Sequence, residues 1–188
     1  LAQGHPSAYI GFINQMAEDR KVDRRKQIAL SSIQKEMKKN QTTVKRWVEH
    51  HRSILERTDS LVNGLKPELY QKLTSREYLQ IDLLLNYEPI VDEFLSNTAW
   101  ETAKSTDIIQ EFDYQTVQVL TEAYLLQEMM MEKTLIKVVD LYFDRRTQRT
   151  ENLDDTLIQL RLTIRELYGQ ESLLFDLYST ALKTLSKS

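Results

Sequence analysis

The sequence predicts an all-α protein, an antiparallel bundle of three long helices with short helices from about 66 to 112 packed at one end. Only 4 Gly and 3 Pro occur in 188 residues, too few for the tight turns of a multi-stranded sheet. The last fifth of the chain also shows the alternating three-and-four spacing of a helix packed against other helices, a pattern typical of coiled coils. The positions with this spacing are Leu157, Leu160, Ile164, Leu167, Glu171, Leu174, Tyr178, Ala181 and Leu185.

The first long helix is predicted from near residue 10 to residue 65. Asn40, Gln41 and His51 interrupt its apolar stripe, and the Asn63-Gly64 pair supplies a C-terminal stop. A helix of this length would reach roughly 80 Å, so it must either bend or project beyond the body. The apolar members of the stripe are Leu30, Ile33, Met37, Val44, Trp47, Val48, Ile54, Leu55, Leu61 and Val62.

The segment 66–112 is less regular and predicts short helices that fold the chain back. Pro67 can begin one short helix and Pro89 another, because proline fits the first helical position. Ser96 or Asn97 is a good N-cap for a helix that contains Trp100.

The second and third long helices follow from two further caps. Asp113 is predicted to cap a helix from Tyr114 to about Arg146, and Asn152 or Asp154 to begin the final helix. The heptad spacing continues through Gly169, which predicts either a close approach of another element or a kink there.

Charge is distributed unevenly along the chain. Residues 1–60 carry 12 basic and 7 acidic side chains, whereas the remainder carries 13 and 21. Residues 1–17 carry no Asp, Glu, Lys or Arg and are followed by a dense charged collar at 18–26. A charge-free segment followed by such a collar is typical of the exit from a membrane span. We therefore expect residues 1–17 to be the remnant of a membrane-proximal segment and 18–188 to form a single extramembrane domain, with a frayed terminus as the alternative.

No reactive centre is recognisable in the sequence. There is no Cys, and none of the three His residues stands three residues after a Glu, as the di-iron sites of helical bundles require. Phosphate-binding loops and hydrolase signatures are also missing. We therefore predict no catalytic, cofactor-binding or metal site. His51 and the neighbouring His50 are expected to be half-buried polar spacers, with pH sensing as the alternative.

Two other functions compete with a non-enzymatic role. The segment 28–48 is basic, and Gln41–Trp47 resembles the start of a recognition helix, so a DNA-binding regulator with a cryptic helix-turn-helix is one alternative. Against it, no turn residue other than Asn40 separates the two helices. The other alternative is an enzyme with an unrecognised pocket among Tyr and Met residues such as Met129–Met131.

Two stretches of the sequence carry a resemblance to known proteins. The first is Phe12–Lys21, and the second is Thr98–Lys104, which contains Ala-Trp-Glu-Thr-Ala and is followed by Phe112–Tyr114 and Ala123–Gln127. These stretches resemble a group of uncharacterised bacterial membrane-anchored helical proteins without an assigned activity. The first resembles their membrane-exit junction, although Met16 stands where Trp or Asn is usual, and the second resembles their central motif and the helix that follows it.

The resemblance implies an N-terminal anchor, missing here, in a bacterial inner membrane. The helical body would lie outside the membrane, on the periplasmic side, although the basic collar alone would favour the cytoplasmic side. We expect a sensor, interaction or assembly domain with a protein partner or self-association, and no cofactor, nucleic acid or identifiable small molecule. Trp100, Tyr114 and Tyr124 are expected to be structural anchors that join the short helices to the long ones.

Overall fold

The fold is all-helical, as expected. This computed structural model describes residues 6–187, with side chains from Asn14 to Lys187, and within these residues it contains no β-strand. The α-helices are α1 (Pro6–Val62), α2 (Pro67–Leu73), α3 (Thr98–Ser105), α4 (Tyr114–Met129), α5 (Leu135–Phe143) and α6 (Leu153–Leu185). Short 3₁₀ turns lie at Ile81–Leu83, Ile108–Glu111 and Thr150–Asn152.

Helix α1 is one continuous helix of 57 residues. It ends at the predicted stop, where Gly64 has a φ of +68°. The Leu65 N–H donates to the Ser60 carbonyl at 2.8 Å and the Gly64 N–H to the Leu61 carbonyl at 3.0 Å. These two bonds form a Schellman cap, which satisfies carbonyls that the helix end leaves free.

The helix-turn-helix alternative is wrong. Residues 28–48 lie within the uninterrupted α1, so no turn separates two helices there. The proposed recognition segment is also partly inaccessible, because Val44 and Trp47 are buried in the core. Arg46 forms ion pairs with Asp92 and Glu93 instead of being free for phosphates.

Residues 66–112, named here the second limb, run lengthwise along α1. The Arg57 guanidinium donates to the Leu84 carbonyl at 3.0 Å, and further along the limb the Arg25 guanidinium reaches the Thr106 carbonyl at 3.5 Å. The limb therefore descends α1 over more than 30 residues of that helix, whereas we expected it across one end. Side chains of α1 contact the limb along this path, and local sequence patterns do not predict such contacts between distant residues.

The helices of the second limb are fewer than predicted. Pro67 begins α2 as expected, but the helix expected after Pro89 is wrong, since residues 84–97 have no regular structure beyond turns and bends. Two consecutive residues in this stretch, Asn86 and Tyr87, have positive φ values of 56° and 61°.

Helices α4 and α5 are joined by a π-helical turn at Met130–Thr134. Asp113 caps α4 as predicted, accepting the Thr116 N–H at 2.9 Å. Buried residues occur on both sides of this turn and within it, at Gln127 of α4, at Met130 and Thr134, and at Leu135 and Val138 of α5. Both halves of the α4–α5 helix therefore keep one face toward the core across the π turn.

Helix α6 packs against both α1 and the α4–α5 helix. Later residues of α1 contact earlier residues of α6: Gln41 contacts Ser179, His51 contacts Glu171 and Asp59 contacts Arg165. The two helices therefore run in opposite directions. All nine positions of the predicted heptad seam in α6 are buried, which confirms that part of the sequence analysis.

Gly169 marks no close approach. It is exposed, and a Cβ built on it would have no neighbouring atom within 4 Å. The helix continues through it without interruption. The expectation that another element packs closely there is wrong.

The N-terminal part of α1 extends past the other elements. Every side chain from Asn14 to Lys21 is exposed, and from Asn14 onward the first buried position is Leu30. Residues 6–24 of the helix span roughly 28 Å. In the part of the chain that the structure describes, no helix combines the length and apolar character needed to cross a membrane. Residues 1–5 of the expected membrane-proximal segment lie outside the described residues.

Candidate functional site

Two of the three expected anchors come together. Trp100 of α3 and Tyr124 of α4 are both buried, and their rings stack with centroids 5.4 Å apart and planes 1° apart. Tyr114 is different, because it is the first residue of α4 and its side chain is 83% exposed. The anchor role expected for Tyr114 is therefore wrong.

Glu36 of α1 links the two stacked residues to the rest of the body. Its carboxylate accepts the Tyr124 hydroxyl at 2.7 Å, the Ser96 hydroxyl at 2.6 Å and the Ala99 N–H at 2.9 Å. Because Ala99 lies in the first turn of α3, this carboxylate caps a helix of another element. Burial, and then the bond to Glu36, raise the pKa of Tyr124 far above its usual range, so its hydroxyl stays a donor.

The backbone of Ser96 is held by two side-chain amides. Asn40 donates to the Ser96 carbonyl at 2.6 Å and accepts the Ser96 N–H at 3.0 Å. Gln127 donates to the same carbonyl at 3.1 Å, and its own amide oxygen accepts the Tyr178 hydroxyl. The backbone of this one residue of the second limb is thus tied to α1 directly, to α4 through Gln127 and to α6 through Tyr178.

A second buried polar contact joins α1, the second limb and α6. His51 and Glu171 are fully buried, and the His51 Nδ1 lies 2.8 Å from both carboxyl oxygens of Glu171. The His51 Nε2 lies 2.7 Å from the Ile90 carbonyl and therefore donates to it. One proton must then lie between Nδ1 and the carboxyl group, either on the ring as an ion pair or on Glu171 as a neutral pair. Burial raises the pKa of Glu171, and the contact with His51 opposes that rise.

His51 is thus more deeply placed than the half-buried spacer we expected. His50 does fit that description, with its Nδ1 3.2 Å from Glu88 and its ring 5.3 Å from that of His51. Its buried Nε2 has no hydrogen-bond partner. Burial, and then the neighbouring His51, lower the pKa of His50.

Two grooves lie between the second limb and the α4–α5 helix. The proximal groove, of 370 Å³, is lined by 14 residues that include Phe94, Trp100, Leu125 and Met131. The distal groove, of 530 Å³, is lined by ten residues that include Tyr87, Val91, Val139 and Phe143. In the distal groove the Tyr142 hydroxyl donates to Asp82 at 2.6 Å, which raises the pKa of Tyr142 to about 12.

The two grooves are open to solvent, whereas the buried pair is not. His51 and Glu171 have no exposed surface, so no solute can reach them. Among the side chains from Asn14 to Lys187, no group of three or more His, Asp or Glu residues is arranged to hold a metal ion. The buried polar groups fasten the second limb to the long helices, whereas the grooves present aromatic, aliphatic and carboxylate groups to solvent.

Partial signals for this network are present in the sequence. Asn40 and His51 stood out as polar interruptions of an apolar stripe, and Glu171 occupied a seam position normally filled by an apolar residue. Polar residues at core positions must find hydrogen-bond partners, so a contact between His51 and Glu171 and a separate partner for Asn40 were foreseeable. Glu36 and Gln127 carried no such signal, since each also suits an exposed helix face.

Comparison with known proteins gave no match to any protein family, curated protein or solved structure.

Proposed function

We propose that the chain is a non-catalytic helical interaction domain, tethered to a membrane at the N-terminal end of α1. The observation that carries this proposal is the exposed extension of α1. From Asn14 to Lys21 the helix has no core contact, and a helix that buries nothing contributes little to folding a body. A stalk that holds a body away from a surface needs just such a helix.

The sequence around the extension supports the same role. The charge-free residues 1–17 precede the collar at 18–26, in the order expected where a helix leaves a membrane. The resemblance to membrane-anchored helical proteins points the same way and favours a bacterial inner membrane with the body in the periplasm.

We further propose that α1, the α4–α5 helix and α6 act as one bundle with α6 as the shared partner. The support is the pairing of buried polar groups: Glu171 of α6 with α1, and Tyr178 of α6 with α4. Such a bundle keeps the second limb in one place, which a recognition surface needs.

The tether is tested by fractionating cells that express the complete gene. We expect the protein to remain with the membranes after washing with alkaline carbonate, which removes peripheral proteins. Recovery of all the protein in the soluble fraction would overturn the tether.

The side of the membrane is tested by labelling with a maleimide. The chain has no Cys, so Arg145→Cys, at an exposed position between α5 and α6, supplies the single thiol. We expect a membrane-impermeant maleimide to label intact spheroplasts. Labelling only after lysis would place the body in the cytoplasm instead.

A further inference from the structure

The second limb leaves one side of the α4–α5 helix uncovered. The limb is fastened to α1 from Leu84 to Thr106, through Arg57, His51, Asn40 and Arg25. Between residues 84 and 97 it is not helical, so it fills less space than a packed helix would. The proximal and distal grooves follow one another along this side, from Tyr124 of α4 to Phe143 of α5.

Large apolar side chains stand exposed in both grooves. Phe94 is 76% and Leu125 62% exposed in the proximal groove, and Tyr87 is 76% and Phe143 69% exposed in the distal groove. Single exposed apolar residues are ordinary, but four large ones along one line of grooves favour an interaction surface. Tyr87 is also held in place by a left-handed backbone, an unusual conformation for an aromatic residue.

The charged residues of the grooves are almost all acidic. Lys104 is the only basic residue in either lining, and it is paired with Glu101 at 2.7 Å. The acidic residues of the two linings are Asp82, Glu88, Glu101, Glu128 and Glu132, all of them exposed. This carboxylate excess disfavours an anionic lipid surface or a nucleic acid as the occupant and favours a cationic one.

We propose that the two grooves bind a basic amphipathic helix of another protein. From Tyr124 to Phe143 the α4–α5 helix is roughly 28 Å long, which matches a partner helix of about five turns. The apolar face of the partner would cover Phe94, Leu125 and Phe143, and its Lys or Arg residues would meet the carboxylates at the rim. Met131 in the proximal groove suits such an occupant, because methionine adapts its shape to different partners.

This inference rests on the proposed role as an interaction domain, but not on the tether. It is therefore tested in solution with residues 1–188, and its failure leaves the fractionation result untouched. The probe is a fluorescein-labelled peptide of about 18 residues, with Leu on one helical face and Lys on the other. We expect saturable binding by fluorescence anisotropy with a Kd on the order of 10 μM, and little binding of a peptide of the same composition without a Leu face.

The double variant Glu128→Gln, Glu132→Gln tests the charge contribution. These carboxylates lie four residues apart on one helix and repel each other, so their neutralisation should not unfold the protein. We expect peptide binding to weaken by about three- to ten-fold. Glu122→Gln with Asp140→Asn is the matched control, because it makes the same charge change on the same helix outside both grooves.

Three results would overturn the proposal. One is the absence of peptide binding, and another is equal binding of the two peptides, which would indicate attraction by net charge alone. The third is a concentration-dependent dimer that Phe94→Ser dissociates, since the grooves would then be covered by a second copy of this chain.

Discussion

The contact between His51 and Glu171 is a place where the loss of one side chain should strongly lower the stability of the protein. Both are fully buried, and they share a single proton while the other ring nitrogen holds Ile90 of the second limb. Removing one partner leaves the other polar and unpaired in the core. Breaking a buried pair of this kind typically costs about 3–5 kcal/mol.

Replacing His51 by Leu should make stability depend on pH. Burial raises the pKa of Glu171 and His51 opposes the rise, so loss of the ring lets the pKa rise further. Because the pKa of this carboxyl is higher in the folded state than in the unfolded state, its contribution to stability is fully present below the unfolded-state pKa. That contribution is lost as the pH rises through the folded-state pKa. Urea unfolding should therefore give a free energy of unfolding that falls as the pH rises above the ordinary pKa of a glutamate, more steeply than for the unchanged protein.

The double variant His51→Leu, Glu171→Gln is the control for this prediction. It removes the titrating carboxyl while leaving a side chain of nearly the same shape. Its free energy of unfolding should not show the additional fall. If the single and double variants had parallel pH profiles, the buried carboxyl would not be the cause.

At the scale of the elements, α6 contains one position, Gly169, where a substitution should stabilise the helix. Gly169 is exposed in mid-helix, and an added methyl group would touch nothing within 4 Å. Gly169→Ala should therefore raise the free energy of unfolding by about 0.5–1 kcal/mol, because alanine loses less backbone entropy in a helix. Thermal or urea unfolding measures the change.

Gly64→Ala is the matched comparison. Gly64 has equally open surroundings, but its φ of +68° lies where a side chain is strained. This substitution should lower the free energy of unfolding by about 1 kcal/mol. Stabilisation at position 64, or destabilisation at 169, would contradict the local geometry described for these helices.

The elements differ in how well the sequence predicts them. Periodicity predicted α1, α4 and α6, because each buries one continuous stripe over many turns. The second limb could not be predicted in the same way. Its path depends on single distant side chains, such as Asn40 bonding to the backbone of Ser96 and Glu36 capping α3.

Individual contacts were harder still to foresee. Tyr124 lies in the apolar rhythm of its helix and is buried, whereas Tyr114 occupies the first turn, where no core contact is enforced. The π turn at Met130–Thr134 was not predicted either, because the sequence there reads as continuous helix.

On the scale of the whole molecule, the protein consists of a helical body, whose core contains hydrogen-bonded polar side chains, and the N-terminal part of α1, which extends beyond this body. The body begins near Arg25, where α1 first meets the second limb. Within it, hydrogen bonds from Asn40 to Ser96 and from His51 to Ile90 hold the limb in place. The grooves depend on this fixation, since they exist only while the limb follows α1.

Native-state hydrogen exchange, read residue by residue, tests this division most directly. The account predicts strong and similar protection for the amides of α6 and for residues 30–61 of α1, which share one core. Amides of residues 14–24 should exchange much faster, because their helix is solvated on all sides and frays at low cost. Uniform protection from residue 14 to residue 61, or fast exchange throughout the buried part of α1, would contradict the account.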